Sequence, residues 1–326
     1  MRKLGLLVGL IALGWSSGVG AAPIEWVTVG DPGNAADTEI MTCCVGDGSS
    51  GDGTTGYGSV GSVYRISQHE VTNSQYAEFL NAVAETDTYG LYNTSMDGGV
   101  WGGSVFGGIS RSGSSGSYAY SAIPGQENNP VNFVSYYDSL RFANWMHNGQ
   151  PTGAQGIATT EDGAYAFSGM TIVGSRNPGA TIFLASEDEW YKAAYYDAVS
   201  TSYFDYAAGS DVKTTCTTPG PTPNTGNCYG GAGVTLTDVG SYTGSPSPYG
   251  TFDQGGNVDE WVEAIGAIRG GGWGSLEFGA AARFSVDPGL EDHGRGFRVA
   301  SVIPEPSTAL LLGIGLSALA VRRKQR

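Results

Sequence analysis

Glycine sets the first constraint on this chain. It falls in clusters without a fixed period, as in Asp47–Ser59 (DGSSGDGTTGYGS) and Arg269–Phe284 (RGGGWGSLEFGAAARF). The lack of a strict G-X-Y period excludes a collagen-like rod. Glycine's entropic cost inside helices and strands then leaves a loop-rich globular body with short regular elements. At 326 residues the chain has material for one large domain or two small ones. No repeat at a solenoid period is present.

Against that background three segments carry a helical pattern. In VTNSQYAEFLNAV, Thr72 as N-cap and Gln75 three residues on form a capping box, and Tyr76, Phe79, Leu80 and Val83 make one apolar stripe. In FVSYYDSLRFANWMHNG the helix starts at Ser135, holds Asp138 in its first turn and stops at Asn148-Gly149. FLASEDEWYKAAYYD repeats the logic, with Ser186 as cap, Glu189 completing the box, and Trp190, Ala193 and Ala194 facing inward. Short strands are expected at Ser62–Ile66 and Gly296–Ser301. Asp47–Ser59 and Gly98–Ser121 read as surface insertions, because neither has the strand–GxGxxG–helix context of a phosphate loop.

Both ends read as sorting signals. Residues 1–21 place Arg2 and Lys3 before apolar Leu4–Leu13 and a small-residue cleavage site at Val19-Gly20-Ala21, the pattern of a secretory signal peptide. Residues 303–326 contain Pro304-Glu305-Pro306, an apolar run from Thr308 to Val321, and basic Arg322, Arg323, Lys324 and Arg326. The run is short for a transmembrane span, which takes about 20 residues, and the basic tail fits a cytoplasmic stop. This order resembles the PEP-CTERM sorting signal of exopolysaccharide-producing Gram-negative bacteria. The resemblance implies processing near the motif by an exosortase-type enzyme and contact with the membrane only through the C-terminal segment. The destination it implies is the cell envelope or extracellular matrix.

The formal net charge is −15 at pH 7, and six of the basic residues lie in the two ends, so the body between them is more acidic still. Such a surface repels phosphate backbones, which argues against nucleic acid, and suits cations or neutral and basic ligands. Of four cysteines, Cys216 and Cys228 flank TTPGPTPNTGN, a loop that a disulfide would staple. In an exported chain the bridge persists, and closing so short a loop contributes ~2–3 kcal/mol. Cys43 and Cys44 are sequence neighbours, with Cα atoms about 3.8 Å apart, closer than disulfide geometry favours.

The stretches YRISQHEVTNSQYAEFLNAV, NPVNFVSYYDSLRFANWM, FLASEDEWYKAAYY, YGTFDQGGNVDEWVEA, RGGGW and GFRVA, in this order, resemble the formylglycine-generating enzyme (sulfatase-modifying factor) family. They run from about Val63 to Ala300, within one domain over 22–302. The resemblance implies an α+β fold, related to the C-type lectins, with a few helices, short antiparallel strands and long glycine-rich loops. Two stretches depart from the family pattern. Leu184-Ala185-Ser186 stands where a Leu-Pro-Thr-type turn is usual, and Asn257-Val258-Asp259-Glu260-Trp261 where Asn-Val-Trp-Glu-Trp is usual.

Enzymes of that family oxidise a substrate cysteine with copper(I) held by two cysteines, between the RGG-type turn and the closing GFR strand. Here the interval GWGSLEFGAAARFSVDPGLEDHGR contains none. Ala280 aligns with one position and the other falls near Ser275 or in a shortened loop, and neither serine nor alanine holds copper(I) as a thiolate does. Non-haem iron, used by other branches, needs clustered His and carboxylate ligands, whereas His69, His147 and His293 are isolated. Glu187, Asp188, Glu189, Asp259, Glu260, Glu263, Glu291 and Asp292 are available for acid–base hydrolysis. The first three, however, lie in a helix's first turn, where the dipole favours negative charge.

Calcium is the cofactor that the resemblance supports. It implies a site made of the Asp253 and Glu260 side chains and the Gly256 and Val258 carbonyls, an all-oxygen set suited to this ion. A second site would use Asn227 and the Cys228 carbonyl. Arg269, Arg283 and Arg298 read first as partners of core acids, and Trp273 with Arg283 as a candidate ligand groove. The expected role is a calcium-stabilised binding or structural module for an extracellular polysaccharide or protein. The alternative is an enzyme: an oxidoreductase of the family type using other residues, or a carboxylate hydrolase.

Overall fold

The computed structural model describes residues 23–42, 53–233, 235–276 and 278–303. The predicted signal peptide, Cys43, Cys44 and Pro304-Glu305-Pro306 with its apolar run lie outside them. Among the described residues no helix is long and apolar enough to cross a membrane.

All three expected helices form at their caps. Helix α1 spans Asn73–Val83, with Gln75 N–H donating to Thr72 Oγ1 and Thr72 N–H to Gln75 Oε1. Helix α2 spans Tyr136–His147, with Ser135 and Asp138 closing the same reciprocal box, and ends at Asn148. Helix α3 spans Glu187–Tyr195 behind Ser186 and Glu189. Each box satisfies donors that a helix start leaves open. The α1 stripe then packs on α2, where Phe79 meets Phe142 edge to face at 5.3 Å and Phe142 meets Phe297 at 5.3 Å.

Two four-stranded sheets frame these helices. The first is antiparallel throughout, in the order Trp26–Val29, Tyr64–Ser67, Val299–Val302, Ile182–Leu184. The second runs Arg283–Ser285, Ala267–Arg269, Asp259–Trp261, Arg295–Phe297, and its last pair is parallel. The strand expected at Gly296–Ser301 is therefore two. The chain leaves the second sheet after Phe297 and enters the first at Val299, with Arg298 between. Tyr64–Ser67 lies two residues beyond the start expected at Ser62, because its register is set by Trp26–Val29 and Val299–Val302.

The stretch Gly98–Ser121 is more than a surface insertion. It holds the hairpins Val100–Trp101/Ser104–Val105 and Ile109–Ser112/Ala119–Ala122, and Phe106, Ile109 and Tyr120 are buried. Asn81 of α1 brackets Tyr120 through its backbone N–H and carbonyl. Gly108 permits the approach, since a Cβ there would lie 2.0 Å from the Asn73 amide. In the described end of Asp47–Ser59, Gly58 N–H donates to Asp188 Oδ1 at 2.9 Å and the Tyr57 ring covers Arg269. Burial of these glycine-flanked aromatics is a long-range outcome that local composition does not encode. Cys216 and Cys228 form the expected disulfide, with Cα atoms 5.1 Å apart.

Burial, then Glu291, pushes the Asp138 carboxyl up to about 7, against the lowering effect of Ser135 and Arg141. A raised carboxyl binds its proton more tightly in the folded chain. Its penalty is therefore absent below the unfolded value and grows as pH rises to about 7. Asp138→Asn should narrow the loss of melting temperature between about pH 4 and pH 8 seen by scanning calorimetry. An unchanged loss would refute this assignment.

Candidate functional site

Arg298, wholly buried, uses every donor it has. Nε and Nη2 grip Glu260 at 2.6 and 2.7 Å, and the remaining N–H groups donate to the carbonyls of Ser67, Gln68 and Phe252. Glu260 also accepts from Trp190 Nε1 of α3 at 2.7 Å. The expected calcium loop is built onto this pair. Asp253 and Asn257 have φ of 62° and 62°, and Gly256 has φ of 122°. Only glycine fits at 256, where a Cβ would stand 2.6 Å from the Asn227 carbonyl.

The loop gathers more negative charge than Arg298 offsets. Burial first, then Asp253, raises the Glu70 carboxyl well above the usual range. Burial, with a contribution from Glu260, pushes Asp253 up to about 6. Glu260 Oε1 accepts one hydrogen bond and Asp253 Oδ2 accepts from Gly240 N–H, so lone pairs remain for a hard cation. At the expected second position, Asn227 Oδ1 is buried with no partner, while the Cys228 carbonyl accepts from Gly231 N–H. The oxygen donors of the Asp253–Glu260 loop are of the kind calcium takes.

The glycine-rich turn continues from Arg269. Trp273 N–H donates to the Asn257 carbonyl, tying this turn to the Asp253–Glu260 loop. Ser275 Oγ accepts from Gly272 N–H at 3.0 Å, and its carbonyl accepts from Tyr229 N–H, next to the disulfide. Ala280 is buried, with its N–H on the Asp205 carbonyl and its own carbonyl on Arg269 Nη1. Both positions are occupied by structural backbone contacts.

Trp273 and Arg283 have different partners. Arg283 joins Arg269 on Glu187, at 2.7 and 2.8 Å, whereas Trp273 packs with Phe106, Leu236 and Val258. The difference follows from charge, because Glu187 at the α3 start is the acid within reach of both guanidinium groups. Above Trp273 lies an aromatic stack that sequence reasoning missed. Trp101 stacks on His293 at 4.7 Å and meets Trp273 edge-on at 5.3 Å. The Trp101 side is 51% exposed, in a hairpin that also exposes Val100 and Val105. Its scattered aromatics were the only sequence signal.

The carboxylates considered for hydrolysis are mostly pinned. Arg176 binds Glu189 at 2.9 Å and Glu263 at 2.6 Å, Arg298 holds Glu260, and Arg295 holds Asp292. Asp259 is the exception. Its Oδ1 is buried without a hydrogen-bond partner, and burial pushes its carboxyl up to about 6.

Arg298→Met alone should cost about 3–5 kcal/mol in urea unfolding, because it strands buried Glu260. Pairing it with Glu260→Met should cost less than the two single changes added together. Additive losses would show that the two groups are not coupled.

Comparison with known proteins agrees with this architecture. Residues 58–303 match the sulfatase-modifying factor enzyme 1-like domain, and residues 302–324 match the PEP-CTERM protein-sorting motif. No functionally curated protein matches the chain. Similar solved structures include the crystal structure of CarF, with a TM-score of 0.51 and 21% identity over 86% of this chain and 99% of that one. Treponema denticola variable protein 1 gives 0.49 and 17%, over 85% and 95% of the two chains. PvdO from Pseudomonas aeruginosa gives 0.48 and 18%, over 85% and 94%. At such identity the CarF likeness speaks for the fold alone. The chain belongs to the sulfatase-modifying factor enzyme 1-like family and carries a C-terminal signal for exosortase-type sorting.

Proposed function

We propose that this family member is an exported binding module, stabilised by calcium, that has exchanged copper chemistry for ligand recognition at the cell envelope or in extracellular polymer. The observation that carries the reading is the content of the glycine-rich turn. Where the family resemblance places a cysteine pair, the chain has Ser275 and Ala280, both committed to backbone contacts, beside an exposed Trp101–His293 stack. The open indole face suits the apolar face of a sugar ring, so extracellular polysaccharide is the proposed ligand. Trp273 acts from beneath as a support, in place of the direct contact expected from sequence.

Calcium would be held by Asp253, Glu260 and the Gly256 and Val258 carbonyls, offsetting the acid excess around Arg298. When bound it supplies charge neutralisation and loop order. The remaining chemistry belongs to the chain: Arg298 orients Glu260, and Asn257 ties the calcium loop to the turn beneath Trp101.

Trp101→Ala should abolish binding on a glycan array while leaving the melting temperature nearly unchanged. Trp273→Ala should lose both binding and about 3–5 kcal/mol of stability. Full glycan binding by the Trp101 variant would refute the platform. Calcium removal by a chelator should lower the melting temperature, and Asp253→Asn should erase that response; a chelator with no effect would refute the site.

A further inference from the structure

The sorting signal, residues 302–324, begins inside the folded domain. Val302 is the last residue of a strand that lies between two others in the first sheet. It pairs with Tyr64 on one side, and its N–H donates to the Thr181 carbonyl on the other. By the same antiparallel register Ile303 falls opposite Val63. One end of the sheet is therefore formed by residues 61–63, residues 177–181 and the departing chain.

That end is apolar and uncharged in an otherwise acidic chain. Val63, Val302 and Ile303 are exposed, at 37%, 40% and 39%. Residues 61–63, 177–181 and 302–303 carry no acidic or basic side chain, although the whole chain has a formal net charge of −15. Asp31, two residues beyond the edge strand Trp26–Val29, is an acid at this end, and its Oδ2 accepts from the Tyr196 hydroxyl at 2.5 Å.

Chain length says what covers this end. Only Pro304, Glu305, Pro306 and Ser307 separate Ile303 from the apolar run that starts at Thr308. Five steps of extended chain reach at most about 18 Å, and the headgroups on one side of a bilayer take up about 5–8 Å of that. A chain anchored through the run thus holds Ile303 within about 10–13 Å of the headgroup surface. Three aliphatic side chains are too small a patch to keep a free domain on a membrane. The tether makes the contact intramolecular, so weak apolar burial suffices. An uncharged end also approaches without stripping water from a charge, which the acidic faces cannot do. We infer that, in the anchored chain before processing, the end of the first sheet at Val63, Val302 and Ile303 rests on the bilayer surface. Membrane contact then extends beyond the C-terminal segment to the domain itself.

Photocrosslinking of the full chain, reconstituted through its C-terminal segment into phosphatidylcholine vesicles, tests this. A benzophenone amino acid replaces Val63 or, as a control, Glu25, which is exposed before Trp26 at the opposite end of the same sheet. Mass spectrometry after irradiation should find several-fold more lipid adduct at position 63 than at position 25. The same probe at exposed Ser62 should repeat the result, which guards against disturbance of Tyr64 by the bulky ring. A flexible Gly-Ser insert of about 20 residues between Ile303 and Pro304 should reduce the adduct several-fold and leave the melting temperature unchanged. The inference fails if positions 62 and 63 give no lipid adduct, if position 25 is labelled equally, or if the insert leaves labelling undiminished. Trp101→Ala should not alter the labelling, so failure here and failure of the glycan platform are separate results.

Discussion

The guanidinium of Arg298 stands where the chain crosses from one sheet to the other, and both sheets depend on it. Two of its N–H groups close on Glu260 of the second sheet, while two others cap the carbonyls of Ser67 and Gln68 at the end of a first-sheet strand. Trp190 brings α3 to the same carboxylate. A buried pair of this kind adds little net stability against an apolar substitute, but it tolerates no wrong partner. Its physical effect is to fix how two sheets, one helix and the Asp253–Glu260 loop meet. Similar forks recur at Arg269 and Arg283 on Glu187 and at Arg176 on Glu189 and Glu263, so a protein of short strands and long loops is held by guanidinium–carboxylate joints.

That arrangement explains what the sequence disclosed. The helices were readable because a capping box is a contact over three residues, as between Thr72 and Gln75 or Ser186 and Glu189. The short strands were less so. A strand such as Asp259–Trp261 exists because Ala267–Arg269 and Arg295–Phe297 flank it, and no pattern of three residues encodes distant neighbours. Residues 296–301 carry a continuous strand pattern, yet the demand of Glu260 for Arg298 divides them between sheets. The family motifs were legible as strings; the partners of their charges were not.

The functional surfaces divide in the same way. Ser275 and Ala280 were singled out through the family resemblance, but the Trp101–His293 stack joins residues 192 positions apart and has no local signature. Glu70 carries no local signature either, and its orphaned oxygen emerges only once the neighbouring segments close around it. Acidity read from composition becomes specific where it is buried, in the surplus of carboxylates around Arg298.

The proposed binding role, in place of oxidation, rests on sulfur. Among the described residues the two cysteine sulfurs are joined to each other, and the glycine turn offers hydroxyl, methyl and indole groups. The most direct measurement is copper-loaded turnover of a cysteine-containing peptide, followed by mass spectrometry for conversion of its thiol to an aldehyde. No aldehyde above the copper-free background is expected, whereas repeated turnover per chain would contradict the proposed binding role.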